Sequence, residues 1–125
     1  MKKTRREDSD ERVWRLAYPE IVPYVRTTQR QKWVDPRYKR YAAWKKAFRL
    51  AANVEQFPDE LDRDGKYAVT LVLSWTKRAR CDLDNAVKGA LDALFAQDRR
   101  VVSIIANAIE NQSFDGIALQ LERLR

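Results

Sequence analysis

One strand pattern, at residues 67–75, constrains the fold of this chain more than any other feature. Large apolar side chains occupy alternate positions there, namely Tyr67, Val69, Leu71, Leu73 and Trp75. Alternation with a period of two is typical of a β-strand. The intervening residues are mostly small or apolar as well, so both faces of the strand can be buried. The sequence therefore predicts a central strand of a sheet.

The rest of the chain predicts one small α/β (α+β) domain around that strand. Asp35 followed by Pro36 is typical of a helix start, and apolar spacing predicts a second helix over residues 85–95. Residues 1–12 are predicted to be a disordered charged tail, and residues 13–125 form the domain. The predicted order is β-α-β-α-β-β, giving a mixed sheet with two helices. The last two strands, at 101–109 and 117–122, are expected to form a hairpin.

Missing residue types exclude many functions. The chain has no histidine, which excludes serine–histidine triads and histidine-based zinc sites. Cys81 is the only cysteine, so there is no internal disulfide and no CxxC pair; we interpret it as a small packing residue. The chain has only three glycines, too few and too far apart for a glycine-rich phosphate-binding loop. Any catalysis must use carboxylates, amines, hydroxyls or an oxygen-bound metal.

The charge distribution favours a polyanionic partner. The net charge is +7, and residues 26–49 contain nine basic residues against one acid, Asp35. Acids normally intersperse on a solvated helix face, so their scarcity predicts phosphate contacts there. We expect a cytoplasmic protein without membrane contact, because no long apolar stretch or signal peptide is evident. The predicted DNA-binding residues are Arg30, Lys32, Arg37, Lys77, Arg78, Arg80, Arg99 and Arg100.

Two aspartates at the end of the central strand form a candidate metal site. In an extended chain, Asp82 and Asp84 would point the same way and could share a divalent cation. Lys88 follows one helical turn after Asp84, and basic residues flank the group on both sides. A purely structural interpretation stays open, with Asp84 as N-cap, Lys88 as its salt-bridge partner, Asp92 as a further link and Asp82 paired with Arg80.

The string CDLDNAVKGALDALFAQDRRV resembles the RusA family of Holliday-junction resolvases. That family carries a D-x-D-N-x-x-K-x-x-x-D-x-L motif, matched by Asp82, Asp84, Asn85, Lys88, Asp92 and Leu94. The resemblance implies a Mg²⁺-dependent endonuclease, with Mn²⁺ as a substitute, that acts as a homodimer on four-way DNA junctions. It also implies that Asp82, Asp84 and Asp98 are catalytic metal ligands, that Lys88 is a catalytic helper, and that Asn85 and Asp92 support the site.

The chain departs from the family pattern at one functional position. The aspartate pair before the third strand is Gln97-Asp98 here, after a shorter loop. If the loop shifts the register, Asp92 or Glu110 would be the substitute acid. Cys81 stands where a basic residue is common in the family. A catalytically inactive protein that binds branched DNA is therefore an alternative, and a protein-interaction module whose basic face is incidental is a third.

Overall fold

The fold is a four-stranded mixed sheet with two helices. A computed structural model describes residues 12–26 and 35–124. Residues 1–11 of the tail predicted over 1–12 lie outside these ranges, as do Arg30 and Lys32. The predicted element order is confirmed: β1 (Val13–Tyr18), α1 (Pro36–Val54), β2 (Lys66–Ser74), α2 (Leu83–Leu94), β3 (Val101–Ile109) and β4 (Gly116–Leu124).

The central position predicted for β2 is confirmed. The strand order is β1-β4-β2-β3, with β2 antiparallel to β4 and parallel to β3. The alternating side chains of β2 are buried from Tyr67 to Leu73, and Trp75 follows them into the core. Ile117, Leu119 and Leu121 of β4 are buried in the same core. Since β2 and β4 each have a neighbour on both sides, their apolar side chains form the centre of the protein.

The predicted hairpin between the last two strands is wrong. β3 pairs with β2, while β4 lies on the other side of β2, between β2 and β1. The connecting segment crosses the end of β2: the N–H of Gln112 donates to the carbonyl of Trp75 at 2.9 Å, and Asn111 has a left-handed backbone with φ of 60°. The connection therefore spans one strand instead of forming a tight turn, and this places the apolar β4 in the centre of the sheet.

The first helix begins where Asp35-Pro36 predicts. Asp35 is the N-cap, and its Oδ1 accepts a hydrogen bond from the N–H of Arg37 at 2.9 Å. Trp44 and Phe48 on its inner face are buried and stack with ring centroids 4.7 Å apart. This face packs α1 against α2 and β1. Neither helix of the described residues is long and apolar enough to cross a membrane.

One carboxylate ties the two helices together. Asp92 of α2 accepts a hydrogen bond from the hydroxyl of Tyr41 at 2.6 Å and forms an ion pair with Lys45 at 3.0 Å. Both partners are on α1. Partial burial would raise the pKa of the Asp92 carboxyl, but these two partners outweigh it and lower the pKa below its usual 3.8. Burial, together with the Asp92 carboxylate, raises the pKa of Tyr41, which keeps its proton on the hydroxyl. Asp92 therefore has a structural role between the helices.

We expect Asp92→Asn to lower the free energy of unfolding by about 1 kcal/mol at pH 7, a value discounted because the side chain is 40% exposed. Because folding lowers the pKa of this carboxyl, its contribution is present above about 3.8 and lost as the pH falls through the lowered value. Urea unfolding of both proteins at pH 7 and near pH 3 measures this: the difference should shrink at the lower pH. Asp59→Asn, at a carboxyl that is 92% exposed, is the control and should change stability little. An equal loss for Asp92→Asn at both pH values would contradict the prediction.

A short extended segment is fixed against α2 by close backbone contact. The N–H of Tyr24 donates to the carbonyl of Asn85 at 3.1 Å. A Cβ atom at Gly89 would lie 3.2 Å from both the nitrogen of Tyr24 and the carbonyl oxygen of Val22, which is closer than most such contacts. Glycine therefore allows this approach, and it holds the ring of Tyr24 beside the exposed face of α2.

Candidate functional site

The basic loop between β2 and α2 is held in place by two acids from the β3–β4 connection. Asp115 accepts from the N–H of Thr76 at 2.7 Å and pairs with Arg80 at 2.8 Å, while Glu110 accepts from the N–H of Ala79 at 2.6 Å. The Thr76 hydrogen bonds and the nearby Arg80 charge lower the pKa of Asp115 despite partial burial. Arg80 pairs with Asp115 and so does not form the pair with Asp82 that the sequence left open. Lys77 and Arg78 of this loop are exposed.

The two motif aspartates diverge because α2 starts two residues earlier than predicted. Asp82 is the N-cap of a helix that begins at Leu83, and its side chain makes no capping hydrogen bond. Asp84 lies in the first helical turn, where its Oδ1 accepts from the N–H of Asn85 at 3.0 Å. Residues two apart on a helix do not face each other, so the extended geometry predicted for Asp82 and Asp84 is wrong. Their side chains line two different concave surfaces.

The first surface brings together three of the predicted catalytic residues. We call it the Lys88 hollow; its volume is about 410 Å³, and it lies between α2 and β3. Asp84, Lys88 and Asp98 line it, and Ile104 and Ala106 of β3 form its apolar wall. The ammonium of Lys88 lies 4.5 Å from the ring centre of Tyr24, a cation–π contact that orients the side chain. Two carboxylates and one amine, from α2 and the segment before β3, thus line one site.

The second surface lies at the N-terminal end of α2. We call it the arginine cleft, defined by Arg26, Arg37, Arg40 and Arg80, and its volume is about 800 Å³. Arg40 pairs with Glu20 at 3.4 Å, and Arg37 pairs with Asp35 at 3.2 Å. The cleft is also lined by Tyr24, Trp75, Asp82, Asn85 and Asp115, among others. The arginines make this surface suitable for a phosphate-bearing ligand.

The remaining predicted DNA-binding residues do not join these surfaces. Arg99 and Arg100 line a separate hollow with residues of the acidic loop before β2. The guanidinium of Arg100 donates to the carbonyl of Gly65 at 2.7 Å, and that of Arg99 donates to Gln97. Arg49, counted in the basic run, donates to the carbonyl of Leu94 at 2.7 Å and therefore fixes α1 to the end of α2.

The donor set of the Lys88 hollow is compatible with a magnesium ion, but it holds fewer acids than predicted. Among residues 12–26 and 35–124, no three His, Cys, Asp or Glu side chains are close enough together to hold a metal. Mg²⁺ is usually bound through one or two carboxylates, with water and substrate phosphates completing its shell. Asp84 and Asp98 supply such a pair. The substitute acids, Asp92 and Glu110, do not line the hollow and have the hydrogen-bond partners described above.

Cys81 has the properties of a packing residue. It is half-buried against the core, and burial and the neighbouring Asp82 raise the pKa of its thiol. A thiol with a raised pKa carries little thiolate at neutral pH and is a poor nucleophile. This agrees with the sequence-based interpretation.

Sequence reasoning missed Tyr24 and Trp75, which both line the arginine cleft; Tyr24 also contacts Lys88 of the hollow. Tyr24 belongs to a proline-interrupted segment with no periodic pattern, so no local signal identifies it. Trp75 ends the buried alternation of β2 and is followed directly by the basic loop. This position could have identified Trp75, because side chains at the end of a central strand commonly line ligand-binding sites.

The fold and these surfaces define a class, that of small α+β proteins in which carboxylates lie beside an arginine-lined surface for a phosphate-bearing ligand. A family model described as Endodeoxyribonuclease RusA matches residues 18–122. The search of curated proteins found no match to the chain. Because the family model covers most of the chain, the protein belongs to the RusA family of endodeoxyribonucleases.

Proposed function

We propose that this protein is a divalent-metal-dependent endonuclease that resolves four-way DNA junctions as a homodimer, with Mg²⁺ as the natural cofactor and Mn²⁺ as a substitute. The observation that carries the proposal is the meeting of Asp84, Lys88 and Asp98 in one hollow next to the arginine cleft. Membership of the RusA family supports hydrolysis of a DNA phosphodiester as the reaction.

Each residue of the hollow has a role suited to its chemistry. Asp84 and Asp98 would hold the metal ion, which when bound would polarise the scissile phosphate and lower the pKa of a water molecule. Lys88 presents a compact positive charge whose donors bind the phosphate oxygens and stabilise the charge that develops on the leaving oxygen. Tyr24, which lines the arginine cleft, restrains the Lys88 ammonium through the cation–π contact. Asp82, predicted as a third ligand, lines the arginine cleft, so the geometry favours the two-carboxylate set.

The edge strand β3 supports the homodimer. β3 is the last strand of the sheet, and it exposes Val102, Ile104, Ile105 and Ile109 by 42–57%. It contains no charged residue and no proline, the features that usually protect an exposed edge from pairing. A second copy of the same strand, related by a two-fold axis, satisfies the free backbone groups and covers Ile105 and Ile109, which do not line the Lys88 hollow. Two identical sites then act on the two opposed strands of a junction.

A catalytically inactive DNA-binding protein of the same fold is the second candidate. The absence of a three-acid cluster from the described residues favours it. Its binding to a junction would depend on salt but not on EDTA. No divalent cation would restore cleavage.

The decisive experiment is incubation of the protein with a synthetic four-way junction, with Mg²⁺, with Mn²⁺ and with EDTA. We expect paired, symmetric incisions with either metal and none with EDTA, because hydrolysis depends on the ion. A linear duplex of the same sequence is the control substrate. Binding of the junction without cleavage in either metal would establish the inactive alternative, and no binding at moderate salt would exclude both.

A further inference from the structure

A buried hydrogen-bond donor without an acceptor lies at the arginine cleft. Trp75 is 4% exposed, and its indole Nε1 has no hydrogen-bond partner within residues 12–26 and 35–124. Its backbone is fully paired, since its N–H donates to Ile109 and its carbonyl accepts from Gln112. The unmatched group is therefore the indole N–H alone, on a side chain that lines the cleft.

A second tryptophan shows how such a donor is normally satisfied in this fold. Trp44 is 3% exposed, and its Nε1 donates to the carbonyl of Glu20 at 2.9 Å. Buried indole N–H groups usually have an acceptor, because leaving one unpaired destabilises the folded protein. A packing role alone would be served by phenylalanine at position 75, without the unpaired donor. The donor at Trp75 thus lacks an acceptor among residues 12–26 and 35–124, and a bound ligand could supply one.

The surroundings of Trp75 indicate that the missing acceptor belongs to an anionic ligand. The guanidinium of Arg80 lies 5.7 Å from the indole ring centre, and its ion pair with Asp115 is partly exposed, so the pair contributes little to stability. The N-terminal end of α2 also opens on the cleft without a side-chain cap from Asp82. Guanidinium groups and a helix N-terminus both favour phosphate.

We propose that the arginine cleft binds one unpaired nucleotide of a DNA strand, with its phosphate on Arg80 and the start of α2 and an acceptor atom of its base on Trp75 Nε1. The volume of about 800 Å³ falls within the range of small-ligand sites. Arg80 moves from Asp115 to the phosphate and opens access to the indole. The proposal rests on the proposed function and adds to it a site that recognises a nucleotide splayed out of the duplex next to the Lys88 hollow.

The test uses the full-length protein labelled with ¹⁵N and a short single-stranded oligonucleotide. The indole N–H signal of Trp75 is identified by its absence in Trp75→Phe. We expect that signal to shift when the oligonucleotide is added, and we expect Trp75→Phe to bind it about three- to tenfold more weakly. The melting temperature of the variant should be unchanged or higher, because the unpaired donor has been removed. A role in packing alone would instead lower the melting temperature and leave affinity unchanged, which would overturn the proposal.

Controls separate this proposal from its rivals. Trp14→Phe, on β1 away from the cleft, should change neither the Trp75 shift nor the affinity. An equal Trp75 shift with a blunt duplex, or with a free nucleoside monophosphate at the same concentration, would overturn the assignment to an unpaired nucleotide in a strand. Failure of the wild type to cleave a junction, with the Trp75 shift intact, would remove the nuclease function but keep the nucleotide site. Junction cleavage without a shift of the Trp75 signal would remove the nucleotide site but keep the nuclease function.

Discussion

We expect Asp84→Asn to impair junction cleavage strongly while leaving junction binding unchanged or slightly tighter. We expect the cleavage rate to fall by about 10²–10⁴-fold, since the variant loses one of the two carboxylates that line the Lys88 hollow and a metal ion contributes several kcal/mol to phosphoryl chemistry. Removing a negative charge next to a phosphodiester reduces repulsion, which accounts for the retained binding. Single-turnover cleavage and a gel-shift titration on the same junction measure the two effects.

The matched variant Asp82→Asn distinguishes the two arrangements of the site. If the metal is held by Asp84 and Asp98, Asp82→Asn should reduce the cleavage rate much less than Asp84→Asn does, by a factor of about ten or more. The reason is that Asp82 lines the arginine cleft. Equal losses would instead support the three-acid set that the family resemblance implies. Asp64→Asn, an exposed change in the loop before β2, should cleave at the wild-type rate. Wild-type cleavage by Asp84→Asn would exclude the proposed site.

We expect Ile105→Glu to convert the proposed homodimer to a monomer. Ile105 is 57% exposed on the edge strand, so the charge costs little in the monomer, whereas pairing with a second copy would bury it. Burying an unpaired carboxylate costs about 3 kcal/mol or more, which corresponds to a rise of about 100-fold or more in the dimer dissociation constant. Sedimentation equilibrium gives the mass, and junction cleavage should change from paired incisions to single nicks.

Leu50→Glu is the control for this change. Leu50 is 58% exposed on α1, so the substitution places the same charge at equal exposure away from β3. We expect this variant to stay dimeric and to make paired incisions. Ile105 does not line the Lys88 hollow, so the Ile105→Glu variant keeps its catalytic side chains intact. A dimer that persists in Ile105→Glu would show that another surface joins the two copies.

Local sequence signals predicted the elements well but not how they pair. Asp35-Pro36 located the start of α1, and the alternation of β2 indicated its central position, because both signals depend on nearby residues. The pairing of β3 and β4 depends on where the six-residue connection 110–115 runs. A connection of that length suits either a hairpin or a path across β2, and only the packing of β4 between two neighbours decides between them.

The prediction of the candidate site was only partly correct, again because the sequence does not determine the packing. Asp84, Lys88 and Asp98 do meet in one hollow, but Asp82 does not join them. Both Asp82 and Asp84 are good N-cap residues, and the choice between them decides which way each side chain points. That choice depends on Leu83 being helical, which follows from the packing of α2 and not from the motif. The unpaired donor of Trp75 cannot be read from a sequence, because it is defined by what surrounds the ring.

The N-cap and first two turns of α2 carry residues of both surfaces, since Asp82 and Asn85 line the arginine cleft while Asp84 and Lys88 line the Lys88 hollow. An α-helix advances about 1.5 Å per residue and moves as a rigid unit. The spacing between the two surfaces is therefore set by helical geometry and is insensitive to loop length. On a DNA strand that occupies both, the broken bond would fall at a constant offset from the captured nucleotide, whatever the sequence of the junction arms.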